Sequence, residues 1–160
     1  FRSSLTISRP VTEFVTGLDI VKEQISIAAG EPLSVQQEDI RFNGHAIECR
    51  INAEHPETFR PSPGLITAYN PPGGPGIRVD STVYQDWLVS SHYDSLVAKL
   101  IAYGSDRKEA IARMNRALDM FIIEGIDTSI PLQKKIINHP RFQEGDFTTS
   151  FLAETGIIKP

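Results

Sequence analysis

The sequence predicts an α+β domain in which a small antiparallel sheet packs with helices, and three observations predict it. The apolar period changes along the chain, helical near residue 20, two-residue around residue 48, and helical again beyond residue 106. The element order is helix, several strands, helix, helix, without the regular β-α-β alternation of a doubly wound parallel sheet. Glycine and proline, 11 of each, fall in clumps that mark turns between short elements. At 160 residues the chain is about one domain's worth.

Residues Phe1 to Pro10 show neither a helical nor a strand period. A helix is expected from Thr16, whose hydroxyl is placed to cap the first turn with Asp19 three residues on. Leu18, Val21, Ile25 and Ala28 form its apolar stripe, and Gly30 with Pro32 ends it. From Ile40 the alternation points Ile47, Cys49 and Ile51 one way and Ala46, Glu48 and Arg50 the other, which predicts a strand. Leu65 to Tyr69 reads as a second strand and Ile77 to Asp80 as another. Between them, Asn70-Pro71-Pro72-Gly73-Gly74-Pro75-Gly76 cannot continue a ladder. Leu96 to Tyr103 is rich in aliphatics and ends at Gly104, so a strand buried on both faces fits it best, with a helix as the rival. Asp106 with Glu109, or Ser105 as an alternative cap, starts a helix that carries Ile111, Met114, Leu118 and Phe121 on one face before Gly125. A shorter helix follows Thr128 or Ser129, with Pro131 in its first turn and Pro140 beyond its end.

Composition narrows the function classes. Sixteen Lys and Arg against twenty Asp and Glu leave −4, the wrong sign for a nucleic-acid footprint. No apolar run approaches the roughly 20 residues of a spanning helix, and no secretory leader opens the chain, so no membrane partner and a cytoplasmic location are expected. The single Cys49 rules out an intrachain disulfide, and its place on the apolar strand face fits a buried structural thiol better than a nucleophile. The proline- and glycine-rich run lacks the Gly-Lys-Ser/Thr ending of a phosphate loop and reads as a turn. Histidines 45, 55, 92 and 139 show no metal-ligand spacing, so surface or loop positions are expected for them and no metal site. Asp94-Ser95 near His92 lacks the Gly-x-Ser-x-Gly elbow of a hydrolase.

The run Glu48-Cys49-Arg50-Ile51-Asn52-Ala53-Glu54 carries the most chemistry. Arg50 offers a fixed charge and a flat five-donor fork suited to carboxylate-like or enolate oxygens. An ordinary ion pair with Glu48 on the same face is the alternative use of that guanidinium.

Several ordered motifs together resemble biotin carboxylase. They are Pro10-Val11-Thr12-Glu13 with Thr16-Gly17, Gly44-His45-Ala46-Ile47 leading into the Glu48 to Glu54 run, and Pro61-Ser62-Pro63-Gly64. Tyr93-Asp94-Ser95-Leu96-Val97-Ala98-Lys99-Leu100-Ile101, Ala110-Ile111-Ala112-Arg113-Met114 and Ile123-Glu124-Gly125-Ile126-Asp127-Thr128 follow at matching spacings. The likeness runs from Pro10 to about Glu154 and is to the C-terminal domain of that family, most of all the acetyl-CoA carboxylase type, which serves fatty-acid synthesis.

That resemblance implies an ATP-grasp ligase that converts ATP and bicarbonate to carboxyphosphate and carboxylates biotin held on a carrier protein. The implied cofactors are ATP, Mg and carrier-bound biotin in the parent enzyme; the chain by itself is expected to bind none of them. The implied partners are the ATP-grasp portion of the same enzyme, the biotin carboxyl carrier protein and a second copy. Arg50 falls on the arginine held to stabilise the biotin enolate, where a preorganised cation lowers the barrier. Thr149 falls where the family lines the adenine pocket, and Pro75 and Arg78 fall at its homodimer contact.

The chain departs from the family in its first residues. Where the family reads Asn-Thr-Arg-Ile-Gln-Val-Glu-His, this chain has Ser4 for the bicarbonate-binding arginine, Thr6 for the glutamine and Ser8 for the basic glutamate. Serine can neither hold an anion by charge nor take up a proton as a carboxylate does. The expectation is therefore a truncated piece, inactive alone, with residues 1–9 foreign to the family, 10–154 the domain and 155–160 a tail. The competing reading is a non-catalytic dimerisation or carrier-docking module derived from this domain. A piece of a different ATP-grasp ligase fits the Glu48 to Glu54 run poorly.

Overall fold

The computed structural model describes residues 9–158 and shows the expected α+β fold. Its centre is a three-stranded antiparallel sheet of β1 (His45–Asn52), β4 (Ile77–Ser81) and β6 (Leu96–Gly104), in the order β1-β6-β4. Helix α3 (Arg107–Met120) covers one face. Helix α1 (Arg9–Thr16) leans on the other, with Phe14 stacked on Tyr103 at 5.6 Å between ring centroids.

The two-residue alternation of β1 appears as predicted: Ile47, Cys49 and Ile51 are buried while Arg50 is exposed. These residues pair in register with Ala102, Leu100 and Ala98 of β6, and all pack toward Ala110, Met114 and Leu118 of α3. Burying each large aliphatic side chain contributes roughly 1.5–3 kcal/mol. Strand β6 is largely buried along both faces, as its aliphatic-rich run predicts, with Lys99 and Tyr103 half-buried on the face away from α3. Asp106 caps α3 by accepting from the Glu109 N–H at 2.8 Å, and Glu109 accepts from the Ser105 N–H at 2.6 Å and its hydroxyl at 2.7 Å. Asp106 is therefore the cap, and Ser105 is a partner of Glu109.

The N-terminal reading needs correction. A helix already runs from Arg9, with Pro10 and Val11 in its first turn, where proline's missing N–H costs nothing. Thr16 closes this helix; its hydroxyl donates to the Thr12 carbonyl at 2.7 Å. Gly17, at φ +73°, turns the chain in the left-handed region. The cap of α2 (Ile20–Ala28) is Asp19, whose Oδ1 accepts from the Val21 and Lys22 N–H groups at 3.0 Å each. The expected stripe on α2 does not pack: none of its residues is buried, and Ile25 is 65% exposed.

Leu65 to Tyr69 is two strands, not one. Strand β2 (Gly64–Leu65) pairs with β5 (Leu88–Val89), whereas β3 (Ala68–Asn70) pairs with β7 (Ile122–Glu124). Ile66, fully buried between them, marks the change of partner; its N–H donates to the Trp87 carbonyl and its own carbonyl accepts from the Asp86 N–H. The glycine- and proline-rich run is the turn from β3 to β4, closed by the Ile77 N–H on the Gly74 carbonyl. Helix α4 (Ile130–Ile137) begins after Ser129 with Pro131 in its first turn, as expected. Pro140 does more than follow it, because Pro140 opens α5 (Pro140–Glu144), and α6 (Phe151–Glu154) ends the fold. Among the described residues, no helix is long and apolar enough to cross a membrane.

Candidate functional site

The pleat of the central sheet gives Arg50 its direction. Its neighbours Cys49 and Ile51 face the core, so the Arg50 side chain must leave from the opposite face. Across the strands it stands level with Lys99 of β6 and then Asp80 of β4, while Glu48 stands level with Ile101 and Arg78. Two cations, Arg50 and Lys99, are thus cross-strand neighbours, and Lys99 forms no ion pair among the described residues.

Arg50 does not pair with Glu48. Its Nη2 lies 3.8 Å from Asp94 Oδ2, with the two side chains 48% and 72% exposed. Glu48 instead buries its Oε2 without a hydrogen-bond partner. The segment carrying Asp94 is tied to the end of β1, because Ser95 Oγ donates a short hydrogen bond to Glu54 Oε1, which also accepts from Asn52 Nδ2 at 3.3 Å. A guanidinium with one long ionic contact keeps most of its five N–H donors available. The Arg50 backbone is held more closely. Its carbonyl accepts from Ser129 Oγ at 3.0 Å and from Gln133 Nε2 at 3.2 Å.

The other predicted residues lie elsewhere. Thr149 is exposed in the segment between α5 and α6, with no hydrogen bond or ion pair to Arg50. Pro75 is exposed in the turn before β4. Arg78 is engaged within the chain, its Nε 2.7 Å from Asp80 and its Nη1 3.3 Å from Glu13. Those two carboxylates hold the Arg78 guanidinium above its ordinary pKa, the Asp80 hydrogen bond most of all. Ser4, Thr6 and Ser8 lie outside the described residues.

Cys49 is 2% exposed, and burial, with a smaller contribution from the Glu48 charge, pushes its thiol up to about 12. It is a structural thiol. Among the histidines, His55, His92 and His139 sit in loops, His139 accepting from the Arg141 N–H to cap α5. His45 departs from the surface expectation: it is half-buried on β1, its Nε2 3.0 Å from Arg107 Nη1. Among the described residues no group of three or more His, Cys, Asp or Glu side chains could hold a metal. The residues that sequence reasoning did not single out around Arg50, namely Asp94 as its ionic partner, Ser129 and Gln133, lie 44, 79 and 83 positions away. No local pattern links them to it.

Comparison with known proteins places this arrangement. The family described as Biotin carboxylase C-terminal domain matches residues 48–154, which include Arg50, Asp94 and Ser129. The family described as Carbamoyl-phosphate synthase L chain, ATP binding domain matches residues 2–36, beginning inside the segment that the sequence reading set apart. Biotin carboxylase 1 of Bacillus subtilis is 55% identical over 149 residues, covering 92% of this chain and 33% of that protein. The biotin carboxylase of Allochromatium vinosum is 56% identical over 146 residues, 91% of this chain and 32% of that protein. The crystal structure of the Hydrogenobacter thermophilus 2-oxoglutarate carboxylase biotin carboxylase domain dimer, in complex with MgADP, ADP and bicarbonate, superposes with a TM-score of 0.87. Its identity is 49%, and the match covers 95% of this chain and 34% of that one. The chain thus spans about a third of the length of the relatives it matches. With the sheet, the outward Arg50 and the matched segment in agreement, the chain belongs to the biotin carboxylase C-terminal domain family.

Proposed function

We propose that this chain is the C-terminal module of an ATP-dependent ligase that carboxylates carrier-bound biotin with bicarbonate, and that Arg50 is its catalytic contribution. The observation that carries the reading is the state of that guanidinium, which is raised on the outer face of a rigid strand, half-exposed, and held by one long ionic contact. Such a cation suits an oxygen on which negative charge develops, as on the ureido oxygen of biotin when the neighbouring nitrogen loses its proton. Fatty-acid synthesis is the corresponding role if the parent is an acetyl-CoA carboxylase.

The module is taken as residues 10–154, consistent with α6 and the family match both ending at Glu154. Nucleotide and Mg are assigned mainly to the ATP-grasp portion of the parent, a reading supported by the MgADP, ADP and bicarbonate named for the Hydrogenobacter relative, of which this chain covers 34%. Thr149, exposed between α5 and α6, is assigned to the lining of the adenine pocket. Pro75 and Arg78 are assigned to a homodimer contact, a reading supported by the dimer named for the Hydrogenobacter relative. The unpacked apolar residues of α2, Ile25 and Ile27 among them, are assigned to contact with the ATP-grasp portion, because an exposed apolar surface of this kind marks an interaction face.

The test compares the purified 160-residue chain with its full-length parent. Bicarbonate-dependent ATP hydrolysis and carboxylation of the biotin carrier are expected from the parent and not from the chain alone. Turnover by the isolated chain would contradict the assignment of the nucleotide site to the rest of the enzyme.

A further inference from the structure

Strand β1 lies at the edge of the central sheet, so alternate backbone groups along it face away from β6 and need partners from outside the sheet. At the point that matters most they find one residue. Ser129 Oγ donates to the Arg50 carbonyl at 3.0 Å and accepts from the Asn52 N–H at 3.0 Å, while the Ser129 N–H donates to the Asn52 carbonyl at 3.0 Å. A hydroxyl can do this because it is donor and acceptor at once. Ser129 thereby acts as a one-residue stand-in for a neighbouring strand, clasping β1 on either side of Ile51.

The clasp sits where the ladder would otherwise be least determined. Pairing with β6 is regular from His45 to Ile51, but the next pair joins Asn52 to Leu96 and skips Val97. The extra residue belongs to β6, and a bulge of this kind disrupts the ladder locally, so β6 alone holds the end of β1 less firmly at Asn52. Ser129 is 6% exposed and is the one buried polar residue of the described core, so water is poorly placed to replace its hydroxyl. Gln133, one helical turn further along α4, adds a second donor to the same Arg50 carbonyl at 3.2 Å.

We propose that Ser129 is a positioning residue for the biotin-dependent step: it fixes the backbone at the bulge and so the direction in which the Arg50 guanidinium is presented. The proposal rests on the reading of Arg50 given above. It concerns alignment alone, since Ser129 is buried against the edge of β1 and its hydroxyl is spent on the Arg50 carbonyl and the Asn52 N–H.

The experiment uses the full-length parent enzyme and follows two rates. One is carboxylation of free biotin; the other is bicarbonate-dependent ATP hydrolysis measured without biotin, which does not call on Arg50. Ser129→Ala is expected to lower kcat for biotin carboxylation on the order of 10- to 100-fold, as a small misalignment of a catalytic group does, with the biotin-free rate unchanged. Ser129→Thr, which keeps the hydroxyl, is expected to recover most of that loss. A parallel fall in both rates with a lowered melting temperature, or a fall in neither, overturns the proposal. Should Ser129→Ala fail to fold, Gln133→Ala removes the second donor from the half-buried α4 surface; a smaller loss confined to the biotin-dependent rate supports the proposal and its absence overturns it. Arg50→Ala separates the two failures. If Arg50→Ala lowers biotin carboxylation and neither the Ser129 nor the Gln133 variant does, only the positioning role falls; if Arg50→Ala has no effect, the reading of Arg50 itself falls.

Discussion

Arg50 Nη2 lies 3.8 Å from Asp94 Oδ2, a contact too long for a hydrogen bond and made by one nitrogen only. The same residue is held at its root by two hydrogen bonds on its carbonyl, from Ser129 and Gln133. Arg50 is thus fixed where it leaves the strand and lightly tethered at its tip. That combination suits a group that must meet an incoming substrate: the direction is set, and the guanidinium hydrogen-bonding capacity is largely unspent.

Removing the tether should cost little stability. Asp94→Asn is expected to change the unfolding free energy by less than about 1 kcal/mol, because both partners are well exposed and screened by solvent. Turnover in the parent enzyme is expected to fall far less than on loss of Arg50. Urea denaturation with steady-state kinetics checks both; a collapse in stability would mean that the pair is structural.

His45 makes folding sensitive to acid. Arg107 can only donate, so at 3.0 Å His45 Nε2 is the acceptor and the ring is neutral. Burial, and secondarily the Arg107 charge, hold the His45 pKa below its ordinary 6.5; Asp106 opposes them weakly. The unfolded chain therefore binds this proton more readily than the folded one. The stability that His45 contributes is fully present above about pH 6.5 and is lost as pH falls through the lowered folded value. Urea midpoints at pH 7.5 and 5.5 should separate more for the wild-type chain than for His45→Gln. Equal separations would show that the neutral ring plays no such part.

Gly125 lies against the backbone where β2 gives way to β3. It sits at φ +92°, and a Cβ there would lie 2.1 Å from the Leu65 carbonyl oxygen. That oxygen belongs to backbone held in β2, which pairs with β5, and the adjoining Thr67 N–H is bonded to the Glu124 carbonyl, so the chain has little room to move. Gly125→Ala is expected to destabilise by more than about 2 kcal/mol, read as a lowered urea midpoint. A neutral result would show that the turn relaxes.

The legible parts of the fold were those governed by one dominant local signal. The alternation over Ile47 to Ile51 fixed both the strand and the outward path of Arg50, and the aliphatic run from Leu96 fixed a doubly buried strand. The structure departs from the local pattern where two signals overlap. Thr16 and Asp19 are both capping residues three apart, and the Gly17 turn between them splits one expected helix into two. Leu65 to Tyr69 is uniformly strand-like, yet its two ends meet β5 and β7, a difference made by residues 23 to 56 positions away. The chemistry divides in the same way. Motif spacing brought Arg50 forward, whereas Asp94 and Ser129 become its partners only once β6 and α4 have docked on β1.

The central claim is that the Arg50 guanidinium carries the biotin-dependent chemistry of this module. Replacing it by alanine in the full-length parent and measuring carboxylation of the biotin carrier protein tests that claim most directly. A loss of kcat of roughly 100-fold or more, with unaltered stability and intact biotin-free ATP hydrolysis, is the predicted result. Carboxylation at the wild-type rate by a folded Arg50→Ala enzyme would contradict it.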